Sequence, residues 1–393
     1  MSNHRILALD ILRGITIAGM ILVNNPGSWA HIYAPLSHAP WNGLTPTDLV
    51  FPFFMFIMGI STYISLRKLH FALTRDSVVK VLKRSLFIFL TGMAIGWFSR
   101  FCFYWHAAPE GLSFFEKLRE ASWTFDRIRI LGVMQRLAIC YCVASFVAMT
   151  LKFRQIVGLI VLLLVGYSVL LLTGNGYAYS EENILSIVDR AILTPTHMYR
   201  DNGIDPEGLL STLPSIAHVL IGFCVGGVML GDTSPAKGTD RARVLDSHII
   251  KLFLIGTVLT FAGFLLAYGL PINKKIWSPT FVLTSCGLAS SLLALLIWII
   301  DVKGYRRWSR FFEAFGVNPL YLYVQGGVLA ILFGAIRIPW DGASVNIITL
   351  IYGKTLLRIL PPTAASCAYA LLFVGLNWCV AYQLYKRRIY IKF

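Results

Sequence analysis

Residues 24–48 read NNPGSWAHIYAPLSHAPWNGLTPTD and hold two histidines, two tryptophans and three asparagines, with no lysine or arginine. An imidazole titrates close to neutral pH and is a competent general base, so His31 and His38 are candidates for proton transfer. Trp29, Trp41 and Asn42 are candidate walls of a polar pocket around them. Asp48, in T-P-T-D-L, fits either a role in that pocket or a capping box at the start of the next helix, with Thr45 or Thr47 as the cap. Other polar groups interrupt apolar runs, where each alone is costly. Asp10 and Arg13 are three apart and share a helix face, so they pair to fix packing or jointly face a cavity. Arg136, beside Gln135, is either an internal anion contact or a side chain that snorkels to the interface.

The elements that must position these groups are membrane helices. Of the 393 residues, 56% are hydrophobic and only 14% charged, well above the apolar content of soluble domains. Apolar runs of bilayer length are expected near 6–24, 48–66, 79–98, 130–150, 154–173, 212–230, 249–269, 280–300, 316–336 and 364–385. The expected fold is therefore an all-α polytopic transmembrane bundle of about ten spans, forming one domain over 1–393. Segment 343–360 is apolar but broken by Lys354 and Arg358, which suits an interfacial or re-entrant helix better than an eleventh span. Arg5 and a first run holding Asp10 and Arg13, with no small-residue cleavage site behind it, predict an uncleaved first span.

Charge sets the expected orientation. With the N-terminus inside, 21 of the 35 Lys and Arg fall on the cytoplasmic side, among them Lys237 and Lys392, and 12 fall outside, among them Arg200. That bias predicts cytoplasmic N and C termini and an even number of spans, with an outer face rich in acids such as Glu110. The net charge of +16 reflects these loop clusters, and no nucleic-acid-binding motif accompanies it. Of the seven cysteines, only Cys102 is expected near a loop, and their spacing gives neither a disulfide framework nor a metal site.

The run SHAPWNGLTPTDLVFPFFMFIMG at 37–59 resembles the signature of the heparan-α-glucosaminide N-acetyltransferase family and its bacterial relatives, within a wider group of transmembrane acyltransferases. ALDILRGITIAGMILVNN at 8–25, GVMQRLAICY at 132–141, DPEGLLSTLPSI at 205–216, and LPINKKIWSPTFVL through DVKGY at 270–305 resemble further family blocks in the same order. The resemblance runs from Ala8 to about Gln325 and leaves loops 99–129 and 174–204 unmatched.

The resemblance implies acetyl transfer from cytosolic acetyl-CoA to the amine of a glucosamine-type sugar on the extracytoplasmic side, without a metal. It implies that His38 is the active histidine. It also implicates an asparagine at the end of the first span, Asn24 or Asn25, because the interval to His38 is longer here. Acyl transfer to an amine needs a base, a donor to the developing oxyanion, and alignment of thioester and nucleophile. His38 can supply the first, or attack the thioester itself. An asparagine amide can supply the second. Trp41 or Trp29 can stack on a sugar, Asn42 and Asp10 are further acceptor-side candidates, and Asp205 and Glu207 can bind its ammonium or cap the helix that follows. The donor's phosphates call for cations, with Arg13 and Arg136 inside the bundle and Lys80, Lys83 and Arg84 at its inner mouth. A bacterial inner membrane and a possible homodimer complete the expectation. The alternative is a secondary transporter of a sugar or organic anion, with helices broken near Gly14, Pro52, Gly59 or Pro319.

Overall fold

A computed structural model describes residues 6–109, 111–199, 201–230 and 241–391, so Arg5, Glu110, Arg200, Lys237 and Lys392 lie outside the described residues. Each of the ten expected runs falls on a helix: α1 Leu7–Val23, α2 Pro46–Arg67, α3 Arg75–Ala107, α5 Val133–Thr150, α6 Phe153–Thr173, α8 Thr212–Leu230, α9 Arg241–Leu266, α10 Pro279–Leu296, α12 Pro319–Ala335 and α13 Pro362–Lys386. Three shorter helices accompany them, α4 Phe114–Ser122, α7 Ile184–Leu193 and α11 Arg310–Val317. Among the described residues, eight helices are long and apolar enough to cross a bilayer, or nine if α11 and α12 form one span. The 17-residue α1, about 26 Å long at 1.5 Å per residue, lies at the short limit for a span. The protein is thus an all-α polytopic membrane protein.

Two boundaries differ from expectation. Helix α3 is 33 residues long and begins at a Thr74–Ser77 capping box. With no glycine or proline between Trp97 and Ala107 it continues past the expected end, and Cys102 sits within it, not in a loop. Segment 343–360 is not one helix. Strands β1 Arg337–Trp340 and β2 Ala343–Asn346 pair antiparallel around Asp341 and Gly342, whose φ values of 51° and 74° suit a two-residue hairpin turn. A π turn at Thr349–Thr355 and a 3-10 turn at Leu356–Arg358 follow.

Of the four candidate helix breaks, only that at Pro319 interrupts a helix, with a 90° bend between α11 and α12. Helix α2 passes through Pro52, whose carbonyl accepts from His218 Nε2 at 2.9 Å on α8. Helices α2 and α8 touch backbone to backbone. A Cβ on Gly59 would lie 2.1 Å from the Val219 carbonyl oxygen, and one on Gly222 2.2 Å from that of Phe56. Small residues permit this approach where lipid offers no hydrophobic drive.

The described chain ends lie together. Ala8 N–H donates to Asp301 at 3.1 Å, Gly316 packs on the Asp10 backbone, and Ile391 N–H donates to Asn318 at 2.8 Å. The segments around 25–45, 123–132, 174–211 and 267–278 meet at the opposite end.

Candidate functional site

Most of the motif following Ser37 builds a scaffold. Trp41 Nε1–H donates to the Tyr177 carbonyl at 2.8 Å, and its ring stacks on Tyr179 with centroids 4.6 Å apart. Asn42 accepts from the Asn273 amide at 3.1 Å, and Gly43 N–H donates to Ile272 O at 2.8 Å. Gly43 has φ of 119°, which glycine adopts without steric cost. Thr45 caps α2, and Asp48 completes the capping box by accepting from Thr45 N–H at 3.1 Å.

Asp48 does more than cap. Its Oδ2 also accepts from Ala39 N–H at 3.1 Å and Thr45 Oγ1 at 3.0 Å, while Oδ1 lies 2.7 Å from His38 Nδ1. The carboxylate can only accept, so it draws the proton to Nδ1 and leaves a lone pair on Nε2. Asp48 is 1% exposed and His38 42%, so a fixed acceptor orients an accessible ring. Lys274 Nζ lies 2.9 Å from His38 Nδ1, 3.4 Å from Nε2 and 3.5 Å from Asp48 Oδ1; with Nδ1 protonated toward Asp48, it can donate to that carboxylate and to the Nε2 lone pair. Burial pulls the Lys274 pKa down, and the attraction of Asp48 and Glu207 offsets only part of that.

These groups line a cavity of about 400 Å³ with Arg129, Tyr199, Asp201, Glu207, Lys275 and Trp277. Arg129 joins both acidic candidates, donating from Nε to Asp205 at 3.2 Å and from Nη2 to Asp205 and Glu207. Burial opposes its charge, but Glu207 and Asp205 more than compensate and raise its pKa. Burial likewise works to raise Glu207, yet Arg129 and Arg136 overcome it and hold that carboxyl below its ordinary value. Asp205 is fully buried, accepts from Tyr199 N–H at 2.8 Å and Glu207 N–H at 3.0 Å, and does not line the cavity. Neither acid caps α8, which begins at Thr212. Asp201 accepts from Lys275 at 2.7 Å.

Asn24 and Asn25 line a different cavity, of about 370 Å³, between α1, α3, α5 and α12. Asn25 Nδ2 donates to Ile21 O at 2.7 Å, whereas Asn24 caps the end of α1 with an exposed side chain. Arg129 lines both cavities.

The remaining candidates lie apart from His38. Arg13 donates to Asp10 at 3.0 Å and to Ser61 at 2.8 Å, tying α1 to α2. Arg136 is 1% exposed, reaches Gly208 O at 3.2 Å and Ser211, and lies over the Trp277 ring, 5.2 Å from its centroid. Arg136 therefore lies under the loop that carries Glu207. Lys80, Lys83 and Arg84 are exposed on α3, with Arg84 over the Tyr141 ring. His31 packs near Ser28 and Tyr352, away from His38.

Arg129, Lys274, Lys275, Asp201 and Tyr199 were not singled out by sequence. A signal existed for the lysines, an adjacent basic pair in a loop on the side that the charge bias leaves poor.

A family model described as heparan-alpha-glucosaminide N-acetyltransferase, catalytic, matches residues 5–258. The human heparan-alpha-glucosaminide N-acetyltransferase is 28% identical over 375 residues, covering 81% of this chain and 52% of that protein. The mouse protein of the same name is 27% identical over 385 residues, covering 84% and 54%. The chain spans about half the length of the curated relatives it matches.

Proposed function

Because the chain belongs to the heparan-alpha-glucosaminide N-acetyltransferase family, we propose that it moves acetyl from acetyl-CoA to the amine of a glucosamine-type sugar across a membrane. The observation that carries this reading is the buried Asp48 carboxylate orienting a half-exposed His38 on the wall of a cavity that also holds Glu207, Asp201 and Lys274.

In that cavity an incoming ammonium is drawn by Glu207 and Asp201. His38 Nε2 takes its proton, and the free amine attacks the thioester carbonyl carbon. The C–N bond forms as the C–S bond breaks and the thiolate leaves; His38, having passed the first proton to solvent, takes the second N–H proton that amide formation releases and delivers it to the thiolate. Lys274, its pKa lowered by burial, is a donor for the carbonyl oxygen, as is Asn24 if the thioester enters from the neighbouring cavity. The same ring orientation serves attack by His38 itself. Rapid-quench trapping of acetylated protein separates the two routes.

The donor would enter from the end that carries Lys80, Lys83 and Arg84. Gly92 lies eight residues along α3 from Arg84, about 12 Å at helical rise, and lines the Asn24 cavity together with Gly96. Gly96 and Gly327, where an added Cβ would meet nothing nearer than 3.8 Å, leave room for a narrow chain, and exposed cations mark where its phosphates begin. Arg13 and Arg136 then act as packing groups. The positive-inside bias supports chain ends in the cytoplasm and the His38 cavity outside, and on this reading of the activity the membrane is a bacterial inner membrane.

The test is acetyl transfer by purified protein from labelled acetyl-CoA to glucosamine. His38→Ala should lower the rate by about 10²–10⁴-fold, the usual contribution of a positioned base. Transfer that survives the substitution removes His38 from the mechanism. Glucosamine uptake into liposomes without product would favour the transporter.

A further inference from the structure

A cavity of about 860 Å³ lies outside the candidate site, at the elbow where the end of α3 meets α4. It shares no lining residue with the His38 or Asn24 cavities. Arg100, Arg119, Arg127, Glu120, Asp126 and Trp123 supply its chemistry. We propose that this elbow is a headgroup site for an anionic phospholipid of the leaflet at that end of the bundle.

Depth is the first argument. Beyond the exposed Lys83 and Arg84, helix α3 turns apolar side chains outward from Leu86, and Ala107 on the cavity wall lies 21 residues further, about 32 Å and thus one hydrocarbon thickness away. The cavity therefore reaches the depth where headgroups lie. Aromatic residues mark the same level. Trp97, Phe101 and Trp105 stack in succession with centroids 5.4 Å and 5.9 Å apart, and Phe114 of α4 packs edge-on against Trp105 at 5.6 Å. Tryptophans concentrate at membrane–water interfaces.

Helix α4 has the character of an interfacial helix. Phe115 is 79% exposed, Trp123 77% and Phe114 61%, a patch that water would penalise and acyl chains would cover. Trp97 Nε1–H donates to Ser122 O at 3.0 Å and holds α4 against α3.

Charge selects the headgroup. Asp126 already pairs with Arg127 at 3.2 Å, and Glu120 accepts from the Tyr104 hydroxyl. Arg119 sits near Glu116, but neither it nor Arg100 makes a hydrogen bond or ion pair with any described residue. Three guanidinium groups against two carboxylates on the wall leave one positive charge, and the adjoining Glu116 and Lys117 offset each other, so one phosphodiester matches the surplus. Two guanidinium forks are free to hold its oxygens.

Phospholipid binding to the full chain in detergent micelles, followed by tryptophan quenching and native mass spectrometry, tests this. A phosphatidylglycerol should bind at least tenfold tighter than a phosphatidylcholine or a phosphatidylethanolamine of the same chains, and the preference should shrink as salt rises. The Arg100→Gln/Arg119→Gln double variant should reduce it to less than twofold while keeping wild-type elution on size exclusion. Glycerophosphate without acyl chains should not compete. Equal binding of charged and zwitterionic lipids overturns the proposal, as does competition by glycerophosphate, which would indicate a soluble phosphate ligand. If the double variant misfolds, the lipid preference and salt response of the wild-type protein still decide.

Discussion

Replacing Asp48 by Asn separates a helix-capping role from an orienting one. The amide keeps the carboxylate's shape and retains one acceptor oxygen for Ala39 N–H, Thr45 N–H and the Thr45 hydroxyl, which lie 3.0–3.1 Å from Oδ2. The other position, 2.7 Å from His38 Nδ1, becomes an NH2 group. Without the anion, Nδ1 faces only donors, the new NH2 group and Lys274 Nζ, so it must accept; the proton moves to Nε2 and the lone pair directed at substrate disappears. The base is lost although its ring stays in place. Removing a positioned base costs about 10²–10⁴ in rate, which is about 3–5 kcal/mol of barrier. A helix cap is worth only about 0.5–2 kcal/mol of stability, and its loss lowers activity only through the folded fraction.

The assay is release of free CoA thiol with saturating glucosamine, beside thermal unfolding of the same preparations. Asp48→Asn should fall by that factor in kcat with little change in the KM for acetyl-CoA. Thr45→Ala, which removes the capping hydroxyl but leaves the carboxylate, should lose stability and retain most of its kcat. If Asp48→Asn turns over at the wild-type rate while His38→Ala is inactive, the carboxylate does not set the tautomer and the dyad is wrong.

Asp189, in α7, accepts from Leu209 N–H at 2.8 Å, and burial raises its pKa to about 6. Between about pH 4 and 6 the folded state holds a proton that the unfolded state has lost, so this group makes stability fall as pH rises through that window. Asp189→Asn should therefore raise the unfolding temperature at pH 8 and change it little at pH 4, and an equal shift at both would refute the assignment. Arg129→Gln strands the fully buried Asp205 without its counter-charge and should destabilise by about 3–5 kcal/mol, read as lost thermal stability that Asp205→Asn partly restores. Gly59→Ala would place a methyl 2.1 Å from the Val219 carbonyl oxygen, and should cost at least the ~1–3 kcal/mol of an overpacked core. Gly166→Ala on α6 meets nothing within 4 Å and should be neutral or slightly stabilising, so equal expression of the two would argue against close α2–α8 contact.

What the sequence discloses and what it hides follows from separation along the chain. Apolar runs locate all ten long helices because lipid imposes length and hydropathy on each segment alone. The ten-residue step from His38 to Asp48 is equally local, since a capping box fixes the carboxylate at the third helical position and the preceding loop folds back onto it. Arg13 with Asp10 is legible as a pair at helical spacing, but Ser61, which shows that Arg13 ties two helices together, is 48 residues away. Lys274 is 236 residues from His38 and reaches it only because Asn273 bonds Asn42 and Gly43 bonds Ile272, contacts with no periodic signature. Segment 343–360 is legible only in part, its apolar composition giving helical turns over 347–358 and no eleventh span. The two-residue Asp-Gly turn just before it instead decides its first four residues, which pair as a strand. The motif from His38 to Asp48 is therefore best understood as a joint. Trp41, Asn42 and Gly43 each bind a distant loop, Thr45 and Asp48 begin the helix, and His38 is left with an accessible ring on the cavity wall beside Ala39, Pro40 and the buried Asp48. A substitution at Trp41 or Asn42 should accordingly move Lys274 and Tyr179 before it alters any contact with a sugar. Such a variant is expected to lose catalytic rate as well as acceptor affinity, whereas a simple stacking platform would lose affinity alone.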